Sequence, residues 1–151
     1  MIGGGGAMYS SILLATDLAH EKSWAKSLPA AIDLARRYGA KLHLLTVVPD
    51  FGMTSVGAYF PPDFEKQAIA RMREELDAFA VAHVPGDVAC ETHVAHGHPP
   101  EQILAAAEKA GADLIVMGSH APDGVLRSLF IGSNADRVVH ASPVSVLVVR
   151  G

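Results

Sequence analysis

The chain has a single cysteine, Cys90, and neither a basic tract nor a long hydrophobic run. One cysteine cannot form a disulfide within its own chain, so the composition favours a reducing compartment. The net charge of −4 argues against nucleic acid as a partner. Because no apolar run approaches the roughly 20 residues of a membrane span, we also expect no membrane partner.

Several sequence signatures of α/β enzymes are missing as well. A Rossmann site needs G-x-G-x-x-G directly after the first strand, but the turn at residues 16–20 contains no glycine. The chain has neither a G-x-x-x-x-G-K-[ST] P-loop nor a G-x-S-x-G nucleophile elbow. Ser119 does stand beside His120, but adjacency in sequence does not make a catalytic pair. We therefore predict no catalytic residues.

The pattern that is present predicts an α/β fold. The 151 residues, 50% of them hydrophobic, suffice for one domain with a full core. Strands are expected at 11–16, 41–48, 87–95, 114–117 and 144–149, with helices at about 21–38, 64–83, 101–110 and 132–140. The alternating strand at 87–95 is expected to have one face more polar than the other and to lie near the sheet edge. The alternation of strands and helices predicts one five-stranded parallel sheet with helices on both faces. Residues 1–7, rich in glycine, are expected to be a disordered leader or an expression remnant, and 8–151 the domain.

The stretch from Asp113 to Ala135 is the candidate binding segment. It comprises a buried strand, a loop beginning at Gly118, and Gly132-Ser133 at the start of the last helix. Backbone N–H groups and the helix dipole favour anions at such a position. Ligands of parallel sheets bind beyond the strand ends where the strand order reverses, so Asp17 would share this crevice. The alternative role of Asp17 is to cap the N-terminus of the next helix.

Three of the eight histidines, His93, His96 and His98, lie close together in sequence and could suggest metal ligands. No cysteine or carboxylate stands at a recognised ligand spacing from them. They are better explained as solvated turn histidines, and we predict no metal site. Cys90 is interpreted as a small hydrophobic side chain of a strand.

Four segments, taken in order, resemble the universal stress protein family. They are ILLATD (12–17), ADLIVMGSH (112–120), GSNA (132–135) and PVSVLVVR (143–150). The resemblance implies strand order 3-2-1-4-5 of the adenine nucleotide alpha hydrolase-like type, a cytoplasmic location, and a homodimer formed through the C-terminal strand Val144 to Val149. It also implies a stress-response regulatory protein that binds ATP, or ADP or AMP, between strands 1 and 4, with room for Mg²⁺.

The loop departs from the pattern of ATP-binding members, which carry Gly, two residues, Gly, nine residues, Gly, and then Ser or Thr. Gly118 fits the first position and Gly132-Ser133 the last pair, but Ala121 replaces the second glycine and the loop is one residue longer. Pro122 also lacks an N–H donor. The Ser-His-x-Pro sequence at 119–122 resembles a subgroup that retains nucleotide binding with a rearranged loop. Arg127 would supply positive charge to the phosphates there.

By position, the resemblance implies adenine and ribose contacts from the first two strands, and phosphate contacts from the loop and the last helix. The implied binding residues are Ala15, Thr16, Asp17, Val47, Met117, Gly118, His120, Arg127, Gly132, Ser133, Asn134 and Ala135. One alternative is a nucleotide-free dimeric interaction module, which Ala121 would allow. Another is a slow ATPase, or self-modification at Ser119, Ser128 or Ser133. The sequence identifies neither the stress nor a protein partner.

Overall fold

A computed structural model describes residues 7–48, 63–119 and 132–150. Five strands form one parallel sheet in the order β3-β2-β1-β4-β5. The strands are β1 (Ser11–Thr16), β2 (Lys41–Val48), β3 (Cys90–His96), β4 (Leu114–Ser119) and β5 (Ser145–Arg150). The helices are α1 (Ser27–Tyr38), α2 (Phe64–His83), α3 (Pro99–Ala110) and α4 (Ser133–Ala141), with a 3₁₀ turn at Glu21–Ser23. The predicted fold class and strand order are confirmed.

Helices cover both faces of the sheet, which explains the continuous apolar runs of its central strands. Because side chains alternate along a strand, Ile12 and Leu14 face one core while Leu13 faces the other. The first core is completed by side chains of α1 and α2, including the fully buried Leu76. The second is completed by α3 and α4, with Val138 at its centre. None of the described helices is long and apolar enough to cross a membrane.

The first helix begins later than its periodicity predicts. Glu21–Ser23 form a separate 3₁₀ turn, and α1 starts only at Ser27. Pro29 therefore lies in the first turn of α1, where its missing N–H costs little, and the helix needs no kink there. At the other end, Gly39 stops α1 with a φ of 65°, a left-handed conformation that favours glycine.

Asp113 connects the beginnings of β1 and β4. Its carboxylate accepts hydrogen bonds from the backbone N–H of Ser10 at 3.0 Å and of Ser11 at 3.1 Å, and from the Ser10 hydroxyl at 3.1 Å. Partial burial by itself would raise the pKa of Asp113, but these hydrogen bonds outweigh it and lower the pKa. The ionised carboxylate therefore stabilises the folded chain.

We expect Asp113→Asn to lower the free energy of unfolding at about pH 6 and to have a smaller effect at about pH 3. A carboxylate whose pKa is lowered by folding contributes its full stability above the unfolded-state pKa. That contribution is lost as the pH falls through the folded-state pKa. Urea denaturation of both proteins at the two pH values measures the difference. The exposed Asp33, changed to Asn, is the control, and an equal effect of Asp113→Asn at both pH values would contradict the expectation.

Candidate functional site

The strand order reverses between β1 and β4. After β1 the chain passes through α1 to β2 on one side, whereas after β4 it passes through α4 to β5 on the other. The register pairs Leu14 with Val116, so the ends of the two strands are level at Thr16 and Gly118. Since open parallel sheets bind ligands at such a reversal, the carboxyl ends of β1 and β4 define the candidate crevice.

The β1 side of the crevice ends in a turn organised by Asp17. One carboxylate oxygen of Asp17 accepts a hydrogen bond from the Ala19 N–H at 3.2 Å, and the other lies 2.8 Å from Nδ1 of His20. Asp17 therefore forms a turn and does not cap the next helix, since the residues before the 3₁₀ turn and before α1 are His20 and Lys26 and no described side chain caps either helix start. The Asp17 side chain is 60% exposed. Thr16 is buried, and its hydroxyl donates to the Leu45 carbonyl at 3.1 Å within the sheet.

Gly118, on the β4 side, lies against the backbone of the 3₁₀ turn. A Cβ atom at this position would overlap the carbonyl oxygen of Ser23. Glycine is therefore required here by the close approach of two backbones, and not by an unusual φ. The resemblance assigned Gly118 to ligand binding, and the structure adds a packing reason for the same residue.

The start of α4 presents backbone N–H groups that no side chain of the described residues caps. Gly132 precedes the helix with a φ of 87°. The first N–H groups of any helix lack partners within the helix, and its dipole makes this end positive. Ser133 and Asn134 are exposed at this end, whereas Ala135 is buried in the second core. An anion would find both donors and positive potential here.

Apolar side chains form a partly covered strip beside these groups. Ala15, Val47 and Ala95 are half-buried toward the carboxyl ends of β1, β2 and β3 and pack against the second core. Met117 belongs to the same core, but its side chain is only 5% exposed. Ala95 was not predicted from the sequence, although the alternation of β3 places it on the same face as Val47, its partner in register.

Part of the predicted site lies outside the described residues. This applies to His120 and Arg127, to the Ala121-Pro122 bend, and to Ser128. Of the other two serines considered for self-modification, Ser119 is buried and Ser133 is exposed.

A second polar cluster, formed by His43, Glu91 and His93, lies on β2 and β3. Nδ1 of His43 is 2.8 Å from Nε2 of His93 and 3.8 Å from a Glu91 carboxylate oxygen. Burial lowers the pKa of His43, and the neighbouring His93 lowers it further. His43 was not predicted from the sequence, and His93, interpreted as a solvated turn histidine, is half-buried in the structure.

We expect Gly118→Ala to reduce the free energy of unfolding by roughly 1–3 kcal/mol, because the added methyl group must displace the backbone at Ser23. Gly86→Ala is the matched control, since a Cβ there meets no atom within 4 Å. That variant should be neutral or slightly stabilising. Urea denaturation measures both changes, and equal stability of the two variants would contradict the packing role of Gly118.

Comparison with known proteins agrees with this architecture. Residues 8–150 match the Universal stress protein family. A universal stress protein of Thermus aquaticus is 35% identical to this chain over 147 residues, which cover 95% of this chain and 100% of the relative.

Solved structures show the same fold. A universal stress protein in complex with cAMP is similar with a TM-score of 0.63 and 24% identity, over 94% of this chain and 97% of that one. The universal stress protein of Archaeoglobus fulgidus in complex with dAMP gives a TM-score of 0.64 and 22% identity, over 93% and 98% of the two chains. The family model matches residues 8–150, nearly the whole chain, and one relative is 35% identical, so this chain belongs to the universal stress protein family.

Proposed function

We propose that this protein is a stress-response regulator that binds an adenine nucleotide, ATP or else ADP or AMP, in the crevice between β1 and β4. The observation that carries the proposal is the start of α4 at Gly132, on the segment that follows β4, where none of the described side chains caps the helix. Because a helix that follows a parallel strand begins at the carboxyl edge of the sheet, its first N–H groups face the crevice.

The phosphates would bind at this helix start. Gly132 supplies a backbone without a side chain, and the exposed Ser133 and Asn134 add polar groups beside the N–H donors. No charged side chain is needed for this contact, since backbone amides and the helix dipole suffice for phosphate groups. Mg²⁺ would enter with the phosphates of ATP, and Arg127 is proposed as a further source of positive charge.

The nucleoside would occupy the β1 side. The half-buried strip of Ala15, Val47 and Ala95 offers an apolar surface for a flat base. The exposed carboxylate of Asp17 can accept hydrogen bonds from ribose hydroxyls. The family members solved with cAMP and with dAMP support an adenine nucleotide as the ligand class. The single cysteine and the family together support a cytoplasmic location.

Ser133→Glu tests the phosphate contact. The new carboxylate would lie at the proposed phosphate position, yet acidic residues are favourable in the first turn of a helix, so the fold should persist. We expect ATP affinity to fall by about tenfold or more, and AMP affinity to fall less because AMP carries less charge. Isothermal titration calorimetry with ATP, ADP and AMP measures this.

The matched control is Ala141→Glu, which adds the same charge at the exposed far end of α4. Its nucleotide affinity should stay within about twofold of the unmodified protein. Absence of binding heat with all three nucleotides at millimolar concentration would sink the proposal and leave the nucleotide-free interaction module.

We also propose that two copies associate through β5. In the described sheet β5 is an edge strand, which is paired with β4 on one side. Leu147 of β5 and Val139 of α4 remain 37% and 43% exposed. An apolar edge strand is a template for pairing with another chain, and a twofold axis would let each β5 cover the other.

Leu147→Lys should raise the dissociation constant of the dimer by about tenfold or more, because a lysine on an edge strand opposes pairing with a second chain. The exposed position should accommodate the lysine in the folded monomer. Val81→Lys is the control, since Val81 is 86% exposed on α2, away from β5. Sedimentation equilibrium of the three proteins measures the association. A monomeric unmodified protein, or equal weakening by both substitutions, would contradict dimerisation through β5.

A further inference from the structure

The register of two strands brings His43, Glu91 and His93 together. His43 of β2 is paired with Glu91 of β3, and Leu45 with His93. Since side chains alternate along a strand, Glu91 and His93 lie on the same face, and that face is the one that His43 shares with Leu45. The three side chains therefore meet under α3, which covers this side of the sheet.

Their ligand atoms are close enough to share one ion. One ligand atom from each of His43, Glu91 and His93 lies within 4.8 Å of the other two. Ligand atoms around a tetrahedral Zn²⁺ are about 3.3 Å apart, given bonds of about 2.0–2.1 Å. The two histidine nitrogens, now at 2.8 Å, would separate slightly, and the Glu91 oxygen, at 3.8 Å from His43, would approach slightly. Side-chain rotations of this size do not require the backbone to move.

The type of ligand atom selects the kind of ion. Two imidazoles and one carboxylate form a donor set that suits Zn²⁺ and similar transition metals, whereas Mg²⁺ and Ca²⁺ prefer oxygen alone. We propose that His43, Glu91 and His93 bind one Zn²⁺ ion per chain, on the same face of the sheet as the apolar strip of the nucleotide crevice but further from the strand ends. His43 lies four residues before Val47 in β2, about 13 Å along the strand, and His93 lies two residues before Ala95 in β3, about 7 Å along it.

The space around the cluster leaves room for a fourth ligand. A cleft of about 980 Å³ is lined by the three side chains and by α3. Ala106 and Ala110 of α3 line this cleft, and their small side chains do not fill it. Water in the cleft can therefore complete a tetrahedral site, as in zinc sites with three protein ligands.

The ammonium group of Lys41 would compete with the metal ion for the Glu91 carboxylate. This group is 2.7 Å from the Glu91 carboxylate, and both side chains are 49% exposed. An ion pair with this exposure is screened by water and is weakly held, so a Zn²⁺ ion bound by two imidazoles can displace the ammonium group. Removing the positive charge of Lys41 should therefore raise the affinity for Zn²⁺.

The experiment uses nucleotide-free, tag-free protein from which metals have been removed. Zn²⁺ is titrated by calorimetry, and Co²⁺ is followed by its visible absorption, which reports a tetrahedral site. We expect one ion per chain and a higher melting temperature with Zn²⁺. His93→Gln and Glu91→Gln should each weaken Zn²⁺ binding by at least about tenfold, since even residues behind the ligands contribute that much. Lys41→Ala should strengthen it.

His140→Gln is the control, because His140 is 76% exposed on α4 and lies outside the cluster. Its Zn²⁺ affinity and melting shift should match those of the unmodified protein. Buried His43 is tested as His43→Gln. If that variant does not fold, the half-buried His93 and the exposed Glu91 decide the result. Absence of stoichiometric Zn²⁺ binding, or binding that persists in both His93→Gln and Glu91→Gln, would overturn the proposal.

Discussion

Burial of β1 on both faces is the constraint on which the rest of the structure depends. Ile12, Leu13 and Leu14 are all 0% exposed, although consecutive residues face opposite sides of the sheet. The strand must therefore be covered by helices above and below and paired with a strand on each side. With β2 on one side and β4 on the other, the connections leave in opposite directions. The crevice at the carboxyl end of β1 is a consequence of this arrangement.

One wall of the crevice combines a local turn with a long-range contact. The Ser23 hydroxyl lies 2.9 Å from the Asp17 carbonyl and 2.7 Å from the His20 carbonyl, and its one hydrogen, shared between them, closes the turn on itself. The carbonyl of Ser23 in turn rests against Gly118 of β4. The turn that exposes the Asp17 carboxylate is thus supported by the strand across the crevice. The chain enters α1 only after this turn, at Ser27.

The two proposed sites use the sheet in different ways. The nucleotide crevice relies on backbone groups at a strand end and a helix start, so residues of many types can surround it. The His43, Glu91 and His93 cluster relies on side chains, and its geometry follows from the register of β2 and β3. Asp113 contributes to neither site, but it joins the starts of β1 and β4, the strands whose other ends flank the crevice.

The sequence by itself determined the order of the five strands and four α-helices, though not the 3₁₀ turn before α1, because hydrophobic periodicity and the stop at Gly39 act locally. From that order it predicted the parallel sheet, while the strand order came from the family resemblance. Only the tertiary structure established the features that depend on which strands are neighbours. In it, the Met117 side chain is buried, Ser23 lies against Gly118, and His43 lies beside His93, 50 residues later. Periodicity assigns a side chain to a face, but packing of both faces decides what lies opposite it.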